Sequence, residues 1–169
     1  MDSMLKTSLW QQFGASIDML EDAINLCPDQ LWTAVLLKDP DRAEYGQFWF
    51  IAYHTLFWLD LYLTGVSEGF APPAPFMRGK LPEKPYTKDQ VHTYLDQCRK
   101  KCQSTIEGMT DEKARQRCTF DWVEASFLEL QFYTMRHVQE HAAQLSLLLG
   151  QQDVSGLDWV TKARNKAEQ

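Results

Sequence analysis

Apolar residues recur in steps of three and four along most of this chain, the spacing of helices that each bury one face. From about Ser3 to Cys27 the stripe is Leu5, Leu9, Phe13, Ile17, Leu20 and Ile24. Cys27-Pro28-Asp29 ends it, because proline cannot continue a helix. Residues 28–46 read as a loop with a short turn at Gln30-Leu31-Trp32. A second helix is expected from Gly46-Gln47 to Thr64-Gly65, and it is apolar nearly all round. Such a helix is central in a bundle, or lies in a subunit interface as well as in the core. Thr87-x-x-Gln90 has the form of a capping box and opens a third helix, with Val91, Tyr94, Leu95, Cys98, Cys102, Ile106 and Met109 as its buried stripe. After a connection over residues 108–121, a fourth helix is expected to begin near Trp122-Val123-Glu124. It carries Phe127, Leu130, Thr134, His137, His141, Leu145 and Leu148 on one line to a stop at Gly150.

Between the second and third helices, Val66 to Tyr86 holds Pro72, Pro73, Pro75, Pro82 and Pro85, five of the chain's seven prolines. This is a connector within one domain, since neither half makes a convincing domain alone. At ~3.3 Å per extended residue it spans the length of a bundle, so helices two and three need not be antiparallel neighbours. The tail from Gln151 to Gln169 is polar except for Leu157, Trp159 and Val160, which are expected to dock a short final helix. No segment reads as a strand. The expected fold is all-α: a four-helix bundle over residues 1–150 with a long proline-rich connector between helices two and three, followed by the tail 151–169.

Composition narrows the function more than the fold. The chain has 169 residues, 44% of them hydrophobic and 24% charged, which suits one globular domain. Its formal charge of −6 repels phosphate backbones, so no nucleic-acid partner is expected. The most apolar run, Phe48 to Leu63, is shorter than a membrane span and contains His54 and Asp60, so no membrane partner is expected either. MDSMLKTSLW lacks a basic segment followed by an apolar core, and Cys27, Cys98, Cys102 and Cys118 lack a secreted disulfide spacing. A cytoplasmic protein with reduced thiols is expected. The all-apolar second helix and six tryptophans favour a homodimer.

The candidate chemistry lies in the histidines. His137 and His141 stand four apart, which puts both imidazoles on one helix face about one turn apart, able to converge on a single ion. His54 sits in the middle of the apolar second helix, where a cationic ring is costly to bury and a neutral, metal-bound ring is not. Three neutral imidazoles leave coordination positions open, the pattern of a catalytic site. His92 lies beside the third stripe and reads as a surface residue. Cys98 and Cys102 are also four apart, but no second thiolate pair accompanies them, and they read as core. Asp60 falls about 240° round the helix from His54 and is expected to find a partner on a neighbouring helix. His137-Val138-Gln139-Glu140-His141 matches the inverted zinc-protease pattern H-x-x-E-H, yet few residues follow it and the framework of such proteases is missing. Glu140 therefore reads as a solvated helix residue, carried as a candidate base, and Tyr133 as a candidate proton donor.

The segments YHTLFWLDLYL and RHVQEHAAQLSLLLG, with LWQQFGASIDMLEDAINLCPDQLW before them, resemble the DinB/YfiT-like family of four-helix-bundle metalloproteins over roughly residues 5–150. The resemblance implies a three-histidine site for zinc or nickel, with His54, His137 and His141 at the ligand positions. It also implies a small-molecule substrate and, in some relatives, S-transfer from a low-molecular-weight thiol (bacillithiol, mycothiol or glutathione). One relative is an isomerase, and others are assigned as hydrolases. Phe50, Ile51, Phe57, Trp58, Tyr133 and Thr134 are expected to line a substrate cleft between the second and fourth helices. The readings to be separated are a metal-dependent transferase or hydrolase, a non-catalytic metal-binding or interaction bundle, and a metal-free bundle whose histidines are satisfied internally.

Overall fold

Three of the four long helices begin at a side chain that caps their first turn. The computed structural model describes residues 1–38 and 40–165. Helix α1 (Ser3–Leu26) starts at Asp2, whose carboxylate accepts from the amides of Met4 and Leu5, and stops before Pro28. A short α2 (Asp29–Trp32) and a 3₁₀ turn (Ala43–Gly46) lead into α3 (Phe48–Thr64). Gly65 closes α3 in the left-handed region at φ 79°, with the Phe127 ring only 3.0 Å from where a β-carbon would stand. Thr87 and Gln90 form the expected reciprocal capping box of α4 (Lys88–Glu107). A short α5 (Asp111–Arg115) and two strands, β1 (Arg117–Phe120) and β2 (Val123–Ser126), precede α6 (Phe127–Gly150).

The four long helices form a ring: α1 packs on α4 and α6, and α3 packs on the same two. Their inward stripes bury Phe13 and Ile17 of α1, Leu56 and Leu59 of α3, Leu95 of α4 and Leu145 of α6. Each such side chain removed from water stabilises the fold by ~1.5–3 kcal/mol before its entropy cost. Cys98 and Cys102 are buried there as free thiols. Asp60 finds its partners on α4, accepting from the Tyr94 hydroxyl at 2.9 Å and pairing with Lys101. No helix among the described residues is long and apolar enough to cross a membrane.

Three expectations are corrected. The segment read as the start of the fourth helix is an antiparallel hairpin in which Arg117 pairs with Ser126 and Phe120 with Val123, so α6 begins at Phe127 with Ser126 as its cap. Cys118, Phe120 and Ala125 point into a small cluster with Leu61, Tyr62 and Leu130, and burying that face is worth more than one further helical turn. The tail docks without a helix over residues 151–165, while residues 166–169 lie outside the described residues. Val160 is buried as expected, but Trp159 is 70% exposed. His92 is half-buried and takes no part in the histidine group.

One buried ion pair ties α1, α4 and the tail together. Arg99 Nη1 meets Asp18 Oδ1 at 2.5 Å, both side chains almost wholly buried, and Arg99 also lies over the Trp10 ring. Arg99 Nη2 donates to the Arg164 carbonyl, and the Arg164 amide donates to Asp18 Oδ2. Burial alone pushes the Asp18 pKa up, and the Arg164 amide and Arg99 oppose it. Arg99→Met leaves that carboxyl buried without its cation, so we expect a loss of about 3–5 kcal/mol in urea unfolding. Asp18→Asn/Arg99→Met should recover part of this, and equal stability of wild type and Arg99→Met would refute the assignment.

Candidate metal centre

His54 lies at the middle of α3, and His137 and His141 lie one turn apart on α6. Because α3 and α6 pack directly on one another, the three rings meet. His137 Nε2 is 3.3 Å from His54 Nε2 and 3.1 Å from His141 Nε2. Nitrogens placed tetrahedrally at zinc–imidazole bond lengths stand ~3.3–3.4 Å apart, so these separations fit one ion. Among the described residues the three histidines form a group able to hold a metal.

The protons on these rings say more than the distances. His141 Nδ1 lies 2.8 Å from Gln144 Oε1, which can only accept, so the proton sits on Nδ1 and the Nε2 lone pair faces the cluster. The Trp58 indole N–H donates to His54 Nδ1 at 3.2 Å, which puts the His54 proton on Nε2, pointing inward. His137 then has no good state. With its proton on Nδ1, that buried nitrogen has no partner and its Nε2 lone pair faces that of His141. With its proton on Nε2, it opposes the His54 proton. A cation among the three Nε2 atoms would take the facing lone pairs of His137 and His141, and that of His54 once its proton moved to Nδ1, and this donor set of neutral imidazoles suits a metal ion. Burial, then the neighbouring His141 and His137, hold the His54 pKa down at about 3, and burial with His141 holds His137 at about 4. Both rings are therefore neutral at neutral pH, the form a metal needs.

A cavity of about 940 Å³ opens on His54 and His141. Phe50, Ile51, Phe57 and Trp58 line it as expected, together with Gln144 of α6. The opposite walls come from the segment between α2 and α3 and from the connector between α3 and α4, not from α6 as expected. Tyr133 and Thr134 are not among its lining residues: Tyr133 is 37% exposed with its ring against Tyr62, and buried Thr134 donates to the Leu130 carbonyl. Glu140 is exposed and stands outside the histidine group. Gln144 escaped the sequence reading and Trp58 was read only as a cleft wall, although each stands within one turn of a histidine it contacts.

A family model described as the DinB superfamily matches residues 12–145, a span that holds all three histidines. The chain belongs to the DinB superfamily. It matches no curated protein and no solved structure. In this DinB-superfamily chain the helices of the match bring the three histidines together, whereas much of the cavity wall is built by the loops between them.

Two expectations follow from the ring protons. An unfolded histidine takes up a proton as pH falls through 6.5, while His54 and His137 resist until about 3 and 4. The metal-free protein should lose stability as pH drops from 6.5 toward 4, by up to about 1.4 kcal/mol per pH unit for each ring. Urea midpoints of chelator-treated wild type and His54→Leu at pH 7.5 and 5 check this, the variant showing the smaller drop. Trp58→Phe removes the donor that keeps the proton off His54 Nδ1, so zinc affinity should rise about three- to tenfold in competition with a chromophoric chelator. Weaker binding by the variant would refute the tautomer assignment.

Proposed function

We propose that the protein is a metal-dependent enzyme in which His54, His137 and His141 hold one divalent ion, zinc or nickel, through their Nε2 atoms. In this reading the four-helix ring is a four-helix bundle, and its proline-rich connector forms a wall of the active site. The observation that carries the reading is the convergence of three neutral imidazoles, with incompatible protons, at one end of a cavity large enough for a small organic substrate. A bound ion with three nitrogen ligands keeps open positions, where it would lower the pKa of water or a thiol and supply a nucleophile at neutral pH.

The chain's own residues prepare that chemistry. Gln144 holds the His141 proton on Nδ1, leaving Nε2 free to ligate. Phe50, Phe57 and Trp58 exclude water from the His54 side and offer an apolar surface to a substrate. Both S-transfer from a low-molecular-weight thiol and hydrolysis fit this arrangement. Tyr133 and Glu140 have no part in it. The four buried, unpaired cysteines support a cytoplasmic, reducing location.

Elemental analysis of untagged protein tests the reading. We expect about one equivalent of zinc or nickel, with occupancy reduced at least tenfold in His54→Ala, His137→Ala and His141→Ala while helicity is kept. Protein that stays metal-free after incubation with both ions would overturn it. Full metal occupancy without turnover of thiol-transfer or hydrolysis substrates would favour the non-catalytic metal-binding bundle.

A further inference from the structure

The cavity that opens on the histidines has charge of one sign. Lys38 and Arg42 line it from the segment between α2 and α3, and Arg78 and Lys80 from the connector between α3 and α4. Among the described residues no aspartate or glutamate lines it, although the chain as a whole carries −6. Among the described residues Lys38, Arg78 and Lys80 form no ion pair. Arg78 Nη1 donates to the carbonyls of Ser67 and Phe70, which fixes the guanidinium while leaving it donors to spare.

Both cationic segments are held in place. The Tyr53 hydroxyl, which burial keeps protonated, donates to the Met77 carbonyl at 2.6 Å, and the Met77 amide donates to the Tyr86 hydroxyl. The chain just before Arg78 and Lys80 is thus pinned to α3. On the other side, the amides of Leu36 and Leu37 both donate to the Gly46 carbonyl, and a β-carbon at Gly46 would stand 1.9 Å from the Leu37 carbonyl oxygen. That close approach brings Leu37 and Lys38 back beside Tyr45 and Gly46 at the cavity wall. Between the two segments the walls are apolar, with Tyr45 stacked on Phe50 at 4.7 Å and Phe57 and Trp58 beyond.

We propose that the cavity takes an organic anion. Its apolar or aromatic body lies against Tyr45, Phe50, Phe57 and Trp58, and its oxyanion head, a carboxylate or a phosphate, is held by Arg78, Lys80 and Lys38. The inference deepens the metal-site reading and rests on it for placing the ligand's reacting end at His54 and His141. Cations at the rim of an apolar cavity raise the local concentration of an anion and orient it with the head outward. The unpaired guanidinium of Arg78 suits the two oxygens of such a head.

Calorimetric titration of the full-length protein, as purified and after removal of metal, tests this with four probes: 1-naphthylacetate, 1-naphthyl phosphate, neutral 1-naphthylacetamide and acetate. We expect at least one naphthyl anion to bind about tenfold or more tighter than the amide without metal, and acetate to bind far more weakly. Which naphthyl anion binds better identifies the head. In Arg78→Gln/Lys80→Gln, both exposed positions, the preference for anion over amide should fall below about threefold, as it should in high salt. Equal binding of amide and anions, full preference in the double variant, or acetate binding as tightly as 1-naphthylacetate would overturn the proposal. Zinc binding measured on the same samples separates the two readings. Zinc uptake without anion preference sinks this inference alone, and anion preference in protein that takes up no zinc sinks the metal site alone.

Discussion

Three imidazoles cannot share one small space in a protein interior unless something accommodates their lone pairs and protons, and the rest of the molecule is arranged around that constraint. His54, His137 and His141 arrive with Nε2 atoms 3.1–3.3 Å apart because α3 and α6 pack directly at a fixed register. The contacts outside the cluster sharpen the conflict. Gln144 turns the His141 lone pair inward, Trp58 turns the His54 proton inward, and His137 is left with an orphaned Nδ1. A closed hydrogen-bond network among neutral rings would have no such remainder. The strain is chemical, and it is of the kind that a bound metal ion would relieve.

Holding that register is the task of the remaining helices. α3 packs on α4 as well as on α6, and α6 packs on α1 as well as on α3, so neither histidine-bearing helix can slide without disturbing two neighbours. The Asp18–Arg99 pair fastens α1 to α4 on the opposite side of the ring and clasps the tail through Arg164. The tail therefore closes the back of the scaffold and leaves the cavity face open.

The open face belongs to the loops. In α3, Phe50, His54, Phe57 and Trp58 form a half-buried stripe at helical spacing, which accounts for part of the helix's all-round apolarity. This face looks onto a cavity, and the two segments across it come from stretches with no helical pattern. The Gly46 carbonyl accepts from the Leu36 and Leu37 amides and the Tyr53 hydroxyl donates to the Met77 carbonyl, so both irregular segments are tied down beside the cavity. Acidic overall and cationic at the cavity beside the histidines, the protein separates its surface charge from its site charge.

By itself the sequence determined the four long helices, because each has a strong 3.6-residue stripe and a local start or stop: Asp2, Pro28, Gly65, the Thr87–Gln90 box. It also determined which residues stood to be ligands, since the i,i+4 pair at His137 and His141 and the histidine in an apolar helix are both local signals. The hairpin at 117–126 was not legible. Its four-residue strands are too short to separate a period of 2 from 3.6, and its Asp121-Trp122 turn lacks the asparagine–glycine signature. Nor could the sequence reveal that Lys38, Arg42, Arg78 and Lys80 share one cavity, that Gln144 and Trp58 set opposite tautomers, or that Tyr133 and Glu140 lie apart from it. Those facts depend on how distant segments approach one another. Only the packed ring, with its loops pinned across α3, decides them, because periodicity reports which face of a helix is buried and carries no information about what covers it.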